Sequence, residues 1–114
     1  MKALYLAAGL LLAGHVQAET LAEGFVHPPT EARPLARWWW FGPAVTDAEI
    51  VREIKAMRAG GFGGFEIQPV YPLSLDDPAK GIRNLPYLSD DFLHAVHLAN
   101  ETGRAEGMRV DITL

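Results

Sequence analysis

The segment TDAEIVREIKAMRAGGFGGFEIQPV, Thr46 to Val70, constrains the fold of this chain more than any other. Thr46 followed three residues later by Glu49 is the pattern of a capping box, in which each side chain satisfies a free backbone N–H at a helix start. Ile50, Ile54 and Met57 recur at i, i+4 and i+7, with Val51 beside them. Arg52, Glu53, Lys55 and Arg58 cover the other faces, so the spacing predicts one amphipathic helix. Lys55 and Arg58 suit the negative end of its dipole. Gly60 or Gly61 stops it, and a strand over Phe62–Val70 follows at once. A helix that must bury one stripe, joined to a strand by a short turn, is the second half of a β-α-β unit.

The flanking residues repeat the unit. Arg37 to Phe41 is short, bulky and aromatic, and Gly42-Pro43 closes it as a strand closes into a loop. Tyr71 to Leu88 is a long loop carrying Pro72, Pro78, Gly81 and Pro86. Ser89 can cap a second helix, with Asp90 and Asp91 in its first turn and Phe92, Val96, Ala99 and Gly103 on one stripe. Met108, Val110, Ile112 and Leu114 alternate with Arg109, Asp111 and Thr113 as a third strand. The order β-α-β-α-β implies an α/β fold with a parallel sheet and right-handed crossovers. The fold expected is the opening of a (β/α)₈ TIM-type barrel, truncated, because a whole barrel needs ~250 residues.

Before the first strand the chain changes character. Lys2, the apolar run Ala3–Ala13 and Val16-Gln17-Ala18 make residues 1–18 a secretory signal peptide cleaved after Ala18. The run is shorter than the ~20 residues that a membrane-spanning helix needs. The expected location is the periplasm or the exterior, with no membrane contact after cleavage. Residues 19–36, with Pro28, Pro29 and Pro34, read as an extended lead-in, and residues 37–114 as the start of the barrel. The chain has no cysteine and a formal net charge of −4. Nucleic acid is therefore not an expected partner, since its recognition calls for a basic surface.

Candidate site residues follow from alternation along the strands. Phe65 and Ile67 make an apolar face for the helices, so Glu66 and Gln68 point the other way, into a barrel interior. Asp111 and Thr113 repeat the arrangement. Buried acids are costly unless paired or used. Glu66 and Asp111 are thus candidates for contacting substrate or a bound ion, against a structural hydrogen-bonding role. The tryptophans divide into Trp38 and Trp40 on one face, Trp39 and Phe41 on the other. Trp40, nearest the strand end, is expected to stack on a sugar ring, and the rest to be core. The glycines of Gly60–Gly64 follow a helix and open a strand, the reverse of a phosphate-binding loop. His94 and His97 have a metal-pair spacing but no third ligand, and no metal site is assigned.

Taken together, the PP-x-E-A-R-P lead-in, the Trp-rich strand, V-T-x-x-x-I at the helix start, A-G-G-F-G-G-F-E-I and the final G-M-R-V-D-I-T-L resemble the start of the catalytic region of glycoside hydrolase family 106, the α-L-rhamnosidases. The resemblance spans residues 27–114. In the commoner family pattern a polar or His residue interrupts the tryptophans; here none does. It implies a secreted enzyme with a (β/α)₈ barrel, an oligo- or polysaccharide substrate, calcium at the site, and inversion by two carboxyl groups ~6.5–9.5 Å apart. The family's catalytic glutamates come from later strands and would lie beyond Leu114. By this reading the piece alone is inactive, and only Trp40, Glu66, Gln68 and Asp111 are expected to bind substrate. The alternatives are a non-catalytic carbohydrate-binding protein, a truncated barrel remnant, or a barrel enzyme of another class acting on phosphorylated substrates.

Overall fold

A computed structural model describes residues 20–113. The expected signal peptide, residues 1–18, lies outside the described residues, as does the last residue of the expected third strand. The elements are α1 (Leu21–Val26), β1 (Leu35–Phe41), α2 (Asp47–Ala59), β2 (Gly64–Val70), α3 (Asp90–Ala105) and β3 (Arg109–Ile112).

The expected lead-in is not wholly extended. Thr20 accepts a hydrogen bond from the backbone N–H of Glu23 while the Glu23 carboxylate reaches back to the Thr20 N–H. This capping box nucleates the short helix α1, and a single 3₁₀ turn over Thr30–Ala32 follows. The signal, Thr-x-x-Glu, is the one already used at Thr46. At Thr46 only half of the expected box forms. Its side chain accepts from the Glu49 N–H, but the Glu49 carboxylate takes the Arg52 guanidinium at 2.7 Å instead.

Both helices pass into their strands by the same turn. Gly61 (φ +92°) and Gly107 (φ +66°) sit just past α2 and α3 in left-handed conformation. Phe62 N–H donates to Met57 C=O and Gly61 N–H to Arg58 C=O, both at 3.1 Å. Met108 to Gly103 and Gly107 to Arg104 repeat the pair at 2.9 and 3.0 Å. These are Schellman closures, and the positive φ explains why glycine stands at each.

The three strands are parallel in the order β1-β2-β3. Both crossover helices cover one face. Ile50 and Ile54 of α2, and Phe92, Ala95 and Ala99 of α3, bury against Trp40, Phe65 and Ile67. Each of the large side chains in this core is worth ~1.5–3 kcal/mol of transfer free energy. Trp38 packs at its margin and donates its indole N–H to Glu53 of α2 at 2.8 Å, tying helix to strand. The other face of the sheet carries no helix of the described residues.

Candidate functional site

Strand pairing arranges the uncovered face in rows. Arg37 of β1 is level with Glu66 of β2, and Glu66 is level with Asp111 of β3. One row nearer the carboxyl ends, Trp39 is level with Gln68. The structure therefore brings the expected Glu66, Gln68 and Asp111 to one face and adds Arg37, Trp39 and Thr113.

Trp40 is placed differently from the expectation. It is 1% exposed and belongs to the helix-covered core, edge-on to Trp38 with ring centroids 5.3 Å apart. Its indole Nε1 is buried without a hydrogen-bond partner among the described residues. The ring on the open side is Trp39, 53% exposed. Alternation fixed the pairing of the tryptophans but not which pair met the helices.

The polar groups of the open face are held firmly. Arg37 Nε donates to Glu66 Oε2 at 3.0 Å, and the Thr113 hydroxyl donates to Glu66 Oε1. The Thr113 hydrogen bond and the Arg37 guanidinium hold the Glu66 carboxyl below the usual carboxylate range, against partial burial and the nearby Asp111. Glu66 is thus an ionised acceptor near neutrality, not a reservoir of a proton. Asp111 is gripped within its own strand by Arg109, with Nε to Oδ1 at 3.1 Å. Gln68 Oε1 is sealed from solvent and has no donor among the described residues.

The carboxyl ends of the strands open onto a groove of about 420 Å³. Gly42 and Pro43 after β1, Tyr71 and Pro72 after β2, and Thr113 after β3 line it. Its volume is within the ~300–1,000 Å³ of small-molecule sites. The loop between β2 and α3 forms the far wall, with Asn84, Leu85 and Tyr87. Asn84 braces that loop. Its Nδ2 donates to Asp76 Oδ1 at 2.7 Å and to Ser74 C=O at 2.9 Å, and its own backbone N–H also reaches Asp76. These bonds from Asn84, the backbone one first, lower the pKa of Asp76. Leu85 N–H donates to Gly42 C=O at 3.0 Å, which joins this loop to the one after β1. Sequence reasoning missed Asn84, because its partners lie 8 and 10 residues away along the chain.

His94 Nε2 lies 3.0 Å from Asp47 Oδ2, linking the N-terminal parts of α3 and α2. Asp47 raises the His94 pKa, chiefly through that bond. Calcium takes 6–8 oxygen ligands. Among the described residues no three His, Asp or Glu side chains converge as a metal site would require, and the neighbouring Glu66 and Asp111 are engaged by Arg37, Thr113 and Arg109. The described residues do not build a calcium site.

No family model matches the chain, and no curated protein is detectably related to it. Among solved structures it is similar to the rhamnosidase from Novosphingobium sp. PP1Y, with a TM-score of 0.71 and 22% identity. The match covers 84% of this chain and 9% of that protein. At this identity the likeness establishes the fold alone: this alternating, parallel α/β unit recurs inside a bacterial rhamnosidase many times its length.

Proposed function

We propose that these residues form the first arc of a (β/α)₈ barrel in an exported glycoside hydrolase that releases α-L-rhamnose from an oligo- or polysaccharide. The observation that carries the reading is the one-sided sheet. Doubly wound sheets place helices on both faces, whereas a barrel keeps them outside and turns polar strand residues inward. Here both helices share one face, and Arg37, Glu66 and Gln68 occupy the other, below a groove at the strands' carboxyl ends. The likeness to a rhamnosidase structure points to the sugar.

In this reading Glu66, Gln68 and Asp111 touch substrate through hydrogen bonds. The acid and base of an inverting mechanism are two further carboxyl groups, and no catalytic residue is assigned among residues 20–113. Any calcium would be held by groups outside that range. Export is supported by residues 1–18, and a mature N-terminus at Glu19 tests it.

The experiment is hydrolysis of an aryl α-L-rhamnopyranoside by the intact protein, followed by NMR. Release of β-L-rhamnose as first product is expected. A panel of aryl glycosides left untouched would end the hydrolase reading. One observation favours a non-catalytic saccharide-binding protein instead: both open-face acids are already paired with cations. Binding of rhamnosides without turnover would establish that alternative.

A further inference from the structure

We propose that the loop between β2 and α3 is a flap on the groove, closed in this structure, latched by Leu85 and hinged at Leu88, where the closed state stores backbone strain. Such a flap serves whatever the groove binds, so it stands apart from the saccharide reading.

Leu88 (φ +59°) is the one non-glycine residue in left-handed conformation among the described residues. Where the chain takes that conformation elsewhere it uses Gly42, Gly61, Gly81 and Gly107. Ser89 N–H donates to Pro86 C=O at 3.0 Å, which makes Leu88 the third residue of a four-residue turn. Tyr87 lies outside the left-handed region and Leu88 inside it, so the turn is of type II, whose third position favours glycine. A Cβ there crowds the carbonyl oxygen that follows it. Strain of this kind persists only where surrounding contacts hold it, and it concentrates at clamps and switches.

The strained turn joins a fixed element to a movable one. After it, Ser89 caps α3 by accepting from the Phe92 N–H at 3.3 Å. Before it stands Tyr87, which lines the groove and leans on Phe92 with ring centroids 5.3 Å apart. Rotation at Leu88 carries Tyr87 and the preceding residues away from the strand ends while α3 stays in place.

Few contacts hold the loop down. Leu85 is its one buried residue, and the Leu85 N–H reaches Gly42 C=O at 3.0 Å. Asn84 sits against Gly42. Arg83 pairs with Asp91, but both side chains are more than half exposed, and such pairs are weak. Leu85 also has room to leave its seat. It lines the groove on one side and, on the other, a second cavity of about 350 Å³ with Ala44, Val45 and Ala95 between α2 and α3. These contacts lie between consecutive elements, so neighbouring barrel units leave them intact.

The test is hydrogen exchange of the intact protein, read by mass spectrometry on peptides covering residues 83–89, with residues 50–57 of α2 as the core reference. In the wild type the Leu85 and Ser89 amides are expected to exchange at least tenfold faster than the core, through a local opening. Leu88→Gly is expected to slow them about fivefold, the left-handed penalty less the extra backbone freedom that glycine loses. Leu88→Ala keeps the penalty and removes most of the side chain, so it should stay within twofold of wild type. Loop amides that exchange only with the core would overturn the flap. Leu88→Gly and Leu88→Ala that behave alike would overturn the hinge, because the side chain and not the backbone would then matter.

Discussion

Trp39 and Trp40 are chain neighbours in one strand, yet one is 53% exposed and the other 1%. Around Trp40 everything is apolar and interlocked: Phe65, Ile67, two helix stripes and Trp38. Around Trp39 the neighbours are Phe41, Gln68 and the paired Arg37 and Glu66, a mixed and largely polar surround. A strand assigns alternate residues to opposite faces, so one seven-residue element serves as core and as candidate binding surface. The difference separates the residues that keep the fold from those that could be exchanged for a different ligand.

The largest test of that contrast is truncation. Trp40→Ala is expected to cost ~3–5 kcal/mol of unfolding free energy, as a large-to-small core change does. Trp39→Ala, at an exposed surface position, should stay within about 0.5 kcal/mol. Denaturant unfolding of the two variants measures both, and equal losses would mean that the open face is itself packed.

Gly42→Ala is next. Gly42 has φ +61°, and a Cβ there would stand 1.9 Å from Asn84 Oδ1. The expected cost is ~1–3 kcal/mol, with the loop after β2 pushed away from the groove. An unchanged stability would show that Asn84 moves aside freely.

Asn84→Ala removes the side-chain bonds to Ser74 and Asp76 without touching the strands. About 1 kcal/mol is expected, and faster limited proteolysis between residues 73 and 83 should accompany it. Cleavage at the wild-type rate would argue that Leu85 and Gly42 alone hold the loop.

The smallest effect concerns the helix-covered side. His94 has its pKa raised by Asp47 and, more weakly, Asp91, while Arg83 is paired with Asp91. A folded-state pKa above the unfolded value means that this contribution is complete below the ordinary value of 6.5 and fades as pH rises through the folded pKa. The stability gap between wild type and His94→Gln should therefore narrow as pH rises above 6.5. Both side chains are more than half exposed, so salt should shrink the gap as well. A gap that widens with pH would reverse the assignment.

Much of this could be read along the chain. The caps at Thr46 and Ser89, the glycines that end both helices, and the period-2 and period-3.6 patterns depend on residues a few positions apart. These local rules determined the element order, and the same rules at Thr20 and Glu23 encode α1, where the prolines nearby argued for an extended chain. In β2 the alternation of Phe65 and Ile67 with Glu66 and Gln68 also determined the faces, because only one of the two is apolar. In β1 both faces are aromatic, so alternation was silent about which one the helices take. Only the parallel register decided it: Ala36 lies level with Phe65 and Trp38 with Ile67, and that puts Trp40 under the helices and Trp39 in the open. The Arg37–Glu66–Thr113 contacts and the Asn84 brace likewise join residues far apart in sequence, and spacing along a chain carries no record of which strands will stand side by side.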